Sequence, residues 1–412
     1  MNDINVTLTA VGGLVLLLGL LSRPVDRSLL SSPLLAFCLG AVFSPYGFAL
    51  LDPAQWGAPL HLIEQAARLT LGFSLMGIAL RLPTRFIFRQ WRPLAILLVI
   101  GMPAMFLVSS LISAWTLGLP LLMALLVGAC VCATDPVIAS SIVAGGVAKE
   151  NLPADFRHLL SAESGANDGL AYPLVLLPML LMAHPPETAW FDWFVKTWLW
   201  DVVGSVLIGA LIGWGSGRAR EWTQRKGWLD QPSLLSLPLA LTILVLGVGK
   251  LLGTDSILAV FAAGIAYDQV AGGEDRSEAD NVQEAVNMFF TLPVFGLFGL
   301  MAPWAKWAAL GRGGVLLVVL ILLFRRLPVV LAMRRWLPPV REPAISWFMG
   351  WFGPIGVSAL FYGAMATERT GSEAPWVVAS LVVFASIIAH GVTAAPFTKR
   401  YRAAHDRPAH GG

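Results

Sequence analysis

Long apolar stretches follow one another along almost the whole chain. They centre on residues 6–22, 29–50, 62–80, 93–115, 118–144, 157–182, 194–217, 233–253, 255–271, 283–303, 313–333, 343–366 and 376–397. Runs of about 18 or more apolar residues are long enough to cross the hydrocarbon core of a bilayer as helices. Lipid offers no partner for backbone N–H and C=O groups, so runs of this kind span as helices that satisfy themselves. The expectation is an all-α polytopic membrane protein of about thirteen transmembrane helices. Of the 412 residues, 57% are hydrophobic and only 13% charged, too little charge to cover a soluble protein of this size. Residues 1–400 read as one membrane domain and 401–412 as a short tail.

The connections orient the bundle. Arg81, Arg85, Arg89 and Arg92 follow the third stretch, and Arg218, Arg220, Arg225 and Lys226 follow the seventh. Arg334, Arg335 and Arg341 follow the eleventh, and Lys399, Arg400, Arg402 and Arg407 fill the tail. Odd-numbered connections thus hold most of the 28 lysines and arginines. By the positive-inside rule those connections and the C-terminus are cytoplasmic, and the N-terminus is outside. Asp3 and the lack of a basic segment before the first apolar run argue for a retained helix over a cleaved signal. The acidic stretch 274–280 reads as a solvated cytoplasmic linker. The net charge of +3 gives no ground for a nucleic-acid partner. Cys38, Cys130 and Cys132 all sit in apolar runs and read as small core residues, the last two too close in sequence for a normal disulfide.

Ionisable residues inside a membrane helix cost about 2.5–3.5 kcal/mol each and therefore mark function by default. Here they are Glu64 and Arg68, Asp135, Glu163 and Asp168, and Arg325 and Arg326. Asp201 and Lys250 lie nearer helix ends, where snorkelling to the interface accounts for them. The densest group is ATDPVIASS at 133–141 followed by SAESGANDGLAYP at 161–173. Pro136 removes a ladder donor and clashes with the preceding turn, so the helix is expected to break near 133–137, beside Asp135. A second break is expected near 350–356 in GWFGPIGVSAL, which holds Gly350, Gly353, Pro354 and Gly356. Two interrupted helices of opposite direction point to an inverted-repeat transporter with a midplane ion site.

Ser164 and Asp168 share one helix face, and Glu163 and Asn167 the next. At about 1.5 Å per residue, Asp168 lies roughly 18 Å into its helix and Glu163 roughly 10 Å. Arg326 falls at about the same depth as Glu163 on an antiparallel span, so the two read as a structural ion pair, with Arg325 as the alternative partner.

ATDPV, followed after a spacer by ESGANDG, resembles the monovalent cation:proton antiporters of the NhaP and sodium/hydrogen-exchanger type. ESGANDGLAYP and WFGPIGVSALFY are especially similar to fungal plasma-membrane sodium/proton antiporters. The resemblance runs from about the third to the twelfth apolar stretch. It implies an NhaA-like fold, a homodimer, and a multi-pass protein of the cell membrane. It also implies that Asp168 is the ion- and proton-carrying carboxylate, preceded by Asn167, with Thr134 and Asp135 on the unwound helix at the site. Ser164 would be a hydroxyl ligand, Glu163 the glutamate paired with an arginine of the eleventh span, and Glu64 an acid near the ion. Many relatives carry an arginine in a Gly-x-Arg-Gly motif where this chain has Ile355.

Desolvation disfavours a bare carboxylate charge, so Asp168 would hold a proton or a cation but not both. Sodium, or lithium, would find hard oxygen ligands in Asp168, Asp135, Ser164, Thr134, carbonyls and water. The Asn-Asp pair leaves one titrating carboxylate and suggests electroneutral exchange of one cation for one proton, with no cofactor. Potassium/proton exchange is the alternative within the fold, because selectivity rests on cavity size and field strength. An intramembrane hydrolase built on Ser164 or Ser141 with His158 or His390 is the alternative from another class, but no Gly-x-Ser-x-Gly elbow surrounds either serine. A channel is disfavoured by the absence of charged rings. His61, His158 and His184 read as surface or interfacial.

Overall fold

The computed structural model describes residues 2–20, 31–135, 138, 150–271 and 276–405, and among them the chain is helical with no β-strand. In order come α1 (Asn2–Leu20), α2 (Ser32–Phe43), α3 (Pro59–Arg81), α4 (Trp91–Leu117) and α5 (Leu121–Cys130). They are followed by α6 (Ala154–Ala183), α7 (Pro186–Arg225), α8 (Gln231–Leu251), α9 (Ser256–Ala271) and α10 (Arg276–Leu300). The last are α11 (Gly311–Phe324), α12 (Leu327–Met333), α13 (Pro343–Trp351), α14 (Val357–Thr370) and α15 (Ala374–His405). Five stretches among the described residues are long and apolar enough to cross a membrane unaided: Trp91–Leu117, Ala154–Ala183, Pro186–Arg225, Gly311–Trp336 and Ala374–Tyr401.

Three of the apolar stretches do not make one continuous helix. α5 ends at Cys130 and the chain is non-helical from Val131 to Asp135. Pro136 itself, with Val137 and Ser141, lies outside the described residues. α13 and α14 are separated by the extended run Phe352–Gly356, where Pro354 and two glycines cannot sustain a helical ladder. The sequence reading has no third break, yet α11 and α12 part at Arg325–Arg326. The physical cause is Pro328: it has no N–H to bond the Phe324 carbonyl and its ring crowds that turn, so the ladder stops there and Pro328 sits in the first turn of a new helix, where a missing donor costs nothing. Two smaller expectations also change. The chain is already helical from Arg276, inside the acidic stretch read as a linker, and Cys38 is exposed on the bundle surface. Cys130 and Cys132 are buried free thiols.

Helix packing in lipid depends on close backbone approach because burial of apolar surface drives little there. Gly209 and Gly213 of α7, with Gly217 on the same stripe, lie directly on α9. A methyl at either of the first two would collide with the carbonyl oxygens of Ala259 and Ala263. α9 in turn lies on α6, where a methyl at Gly165 would sit 2.6 Å from the Phe261 ring and one at Gly169 2.6 Å from Leu258 Cβ. These two contacts press α9 against the turn of α6 that carries Asp168. On its other side that turn meets α5 and α14, and Val127, Val357 and Tyr362 are fully buried in the main apolar cluster.

Candidate functional site

The site is built where the breaks meet. A helix end leaves its last carbonyls without an N–H partner and concentrates the negative pole of the helix dipole. Just past the end of α5, in the unwound run, Arg325 meets the freed backbone: its Nη1 donates to the carbonyls of Val131, Cys132 and Ala133 at 3.1, 2.7 and 2.9 Å. Its Nη2 donates to the Gly353 carbonyl in the other break. One guanidinium, with five donors in a planar fork, thus ties both unwound segments together. Asp135 performs the complementary task at a helix start. Its backbone N–H donates to the Pro354 carbonyl at 2.8 Å, and its Oδ2 accepts from the Val357 N–H that opens α14. Its Oδ1 accepts from the Ile138 N–H at 3.2 Å. A side chain at Gly356 would occupy the place of that Asp135 carboxylate, which explains a glycine there.

Arg326 serves a different partner. Its Nη1 and Nη2 donate to Glu163 Oε1 and Oε2 at 2.8 and 3.0 Å, a bidentate ion pair with both side chains buried. Nη1 also donates to Thr134 Oγ1 at 2.6 Å, and Nε to the Met349 carbonyl at 3.1 Å. Asn167 closes the network: its Nδ2 donates to Glu163 Oε1 at 2.9 Å and its Oδ1 accepts from the Thr134 N–H at 3.2 Å. Every polar atom of this layer that touches another does so through a charge-assisted or backbone bond, which makes it rigid.

Asp168 stands apart from that satisfied layer. It is 0% exposed, and among the described residues neither carboxylate oxygen has a hydrogen-bond partner. The hydroxyls of Ser164 and Ser358 are likewise buried and unpartnered. Ser358 lies beside the carboxylate without meeting hydrogen-bond geometry, and Tyr362 Oη donates to the Asp168 backbone carbonyl at 2.5 Å. Buried polar atoms without partners are rare and call for an explanation. Here four oxygens from α6 and α14 form a set that suits a proton or a hard monovalent cation as cargo.

The residues singled out from sequence therefore fall into three places. Asp168 and Ser164 are in the unpartnered cluster; Thr134, Asp135, Asn167, Glu163 and Arg326 are in the bonded layer beside it. Glu64, 7% exposed on α3, faces His61 and Glu368, and the ligand atoms of these three lie within 4.8 Å of one another. Sequence reasoning missed Ser358 and Tyr362. Their helical spacing of four within VSALFY would have put both on one face of α14. It also read Asp201 as interfacial, whereas the structure buries it to 3% exposure, and it passed over Asp255 in the short turn before α9. Asp255 caps α9, its Oδ1 accepting from the N–H groups of Ile257 and Leu258 at 3.0 and 3.2 Å. His390 is held by Ser386 and the Trp351 carbonyl, and Ser386 Oγ accepts from the Ile355 N–H, so this histidine braces the second break. Ile355, in the place of the family arginine, is buried in the apolar cluster.

A helical membrane bundle with broken helices joined around an unpartnered buried carboxylate is the architecture of a polytopic ion transporter. The profile described as "Sodium/hydrogen exchanger, transmembrane" matches residues 13–400. This chain belongs to the sodium/hydrogen exchanger family. It is 29% identical over 417 residues to a Na+/H+ antiporter of Schizosaccharomyces pombe, covering 95% of this chain and 89% of that one. It is 28% identical to Na+/H+ antiporter 2 of Zygosaccharomyces rouxii, covering 95% of this chain and 52% of the relative. The chain spans about half the length of several curated relatives it matches. Its fold is that of the sodium proton antiporter of Methanocaldococcus jannaschii at pH 8, with a TM-score of 0.70 at 16% identity over 97% of this chain and 99% of that one.

Proposed function

We propose that this protein is a secondary antiporter that exchanges Na+, or Li+, for H+ across the cell membrane, with one carboxylate, Asp168, loaded alternately by the two ions. The carrying observation is that both Asp168 oxygens are buried without partners, next to the equally unpartnered hydroxyls of Ser164 and Ser358. An isolated carboxylate charge in such a place is strongly disfavoured, so the group neutralises itself by taking a proton or a cation. Ser164 and Ser358 supply neutral oxygens, Asp135 and Thr134 add theirs from the bonded layer, and water completes the shell. The empty, charged site crosses poorly; the loaded site crosses freely; that asymmetry makes the cycle an exchange. Glu163, Arg326 and Arg325 hold the breaks in place and carry no proton in the cycle.

One titrating carboxylate makes the exchange electroneutral, one cation for one proton. About thirteen spans in an inverted repeat carry the site, with the breaks near 133–137 and 350–356 at its midplane. The N-terminus is outside, the arginine-rich connections and the 401–412 tail are cytoplasmic, residues 1–400 form one transport domain, and two copies form a homodimer. Fungal relatives named for sodium/proton antiport support the sodium reading over the potassium one. A relative named as a K+/H+ antiporter, NhaP of Alkalimonas amylolytica, matches only 42% of the chain.

The test is cation-induced proton flux in proteoliposomes with an imposed pH gradient, comparing sodium, lithium and potassium. Proton movement on adding sodium or lithium, with little on adding potassium, is the expected result. A response to potassium alone would move the reading to potassium/proton exchange, and no response to any of the three would overturn it.

A further inference from the structure

We propose that Asp201 and Asp255 form a second site for the transported monovalent cation, one helical turn from Asp168 on the side away from the arginine-rich connections. Asp201 lies on α7 and Asp255 in the turn between α8 and α9, and the Asp255 N–H donates to the Asp201 carbonyl at 3.2 Å. The two side chains are 3% and 5% exposed, just beneath the exposed turn Leu251–Gly253. Each keeps one buried carboxylate oxygen without a partner: Oδ1 of Asp201 and Oδ2 of Asp255. The other Asp255 oxygen is fully used in capping α9.

Two adjacent buried carboxylates with unused oxygens repel one another, and a buried carboxylate oxygen without a donor is costly. Among the described residues no side chain donates to either free oxygen. Lys196 and Arg369 are within electrostatic reach of Asp201, but neither reaches its free oxygen at hydrogen-bond distance. Those two cations offset part of the paired negative charge, which favours a monovalent over a divalent ion between the carboxylates. Hard oxygen donors on a short turn suit an alkali cation.

The placement connects this pair to the main site. Leu258, one turn beyond Asp255, is the residue against which Gly169 packs, and Gly169 follows Asp168. Asp255 therefore caps the helix whose first turn covers the Asp168 turn, about 4.5 Å further along its axis. Asp255 and Asp168 are close enough to act on each other electrostatically, and both act on Tyr362, whose hydroxyl donates to the Asp168 carbonyl. A cation held at Asp201 and Asp255 is thus a waiting position one step from the exchange site. The inference rests on the transport reading in taking a monovalent cation as the cargo.

The experiment is equilibrium binding of radioactive sodium to the purified full chain in detergent at alkaline pH. Wild type, Asp168→Asn, and the double variant Asp168→Asn with Asp255→Asn are compared. Asparagine keeps an oxygen to cap α9, so the fold is preserved, and monodisperse elution checks this. Asp168→Asn is expected to retain sodium binding that unlabelled sodium displaces, and the double variant to weaken it at least tenfold. Asp201→Asn in the same background should weaken it similarly. Loss of all binding in Asp168→Asn, with binding intact in wild type, would overturn the second site alone. Equal binding by the single and double variants would overturn it too. A wild type that binds no sodium would overturn it together with the transport reading.

Discussion

The four side chains at 163, 168, 325 and 326 show how the same burial can serve opposite ends. Glu163 and Arg326 are satisfied in each other, so they stabilise a shape. Asp168 has nothing to satisfy it, so it is open to cargo. Breaking a buried ion pair from one side leaves an uncompensated charge and costs about 3–5 kcal/mol, while removing both partners costs much less. Glu163→Gln should therefore lower the thermal midpoint in detergent markedly, and the double change Glu163→Gln with Arg326→Met should lower it by less than the two single changes together. Additive losses would show that the pair does not act as a unit.

Two helix pairs carry the site's geometry. α7 approaches α9 closely enough that a methyl at Gly209 or Gly213 has no room, and α9 presses the Asp168 turn from behind through Gly165 and Gly169. Gly213→Leu should separate α7 from α9 and cost several kcal/mol, on the scale of overpacking plus lost helix contact. The expected readout is loss of monodisperse protein on size-exclusion chromatography, whereas Gly215→Leu, on an open face of the same helix, should purify normally. Much of this level was legible beforehand. Apolar run length gives the helices, and Gly350, Gly353, Pro354 and Gly356 mark the second break because proline and glycine are punished in a helix by known amounts. The break at Arg325–Arg326 was not legible. A single Pro328 near the end of an apolar run is equally compatible with a kinked continuous helix, and nothing local in the sequence shows that the Arg325 side chain reaches the carbonyls of Val131, Cys132 and Ala133. Depth counting along the spans paired Glu163 with Arg326 and kept Arg325 as the alternative, because one residue of error in the count turns a side chain by about 100°. Ser358 was hidden for another reason: serine costs little inside a membrane helix and leaves no composition signal.

At the scale of the whole molecule, the proposed exchanger carries no net charge per cycle. Membrane potential is worth about 2.3 kcal/mol per elementary charge per 100 mV, so an electroneutral exchanger ignores it while a two-for-one exchanger is strongly driven. Initial rates in proteoliposomes should stay constant when a potassium diffusion potential of either sign is imposed at fixed pH gradient. A rate that follows the potential would contradict one-for-one exchange. The reading of Asp168 as a shared carrier is tested most directly by the apparent sodium affinity of exchange as a function of pH, with Asp168→Asn as the inactive control. If hydrogen ions and sodium compete for one carboxylate, the sodium concentration at half-maximal rate rises about tenfold for each unit the pH drops on the acid side, while the maximal rate at saturating sodium holds. A half-saturation value that stays fixed while the maximal rate falls with pH, or transport that survives in Asp168→Asn, would contradict it.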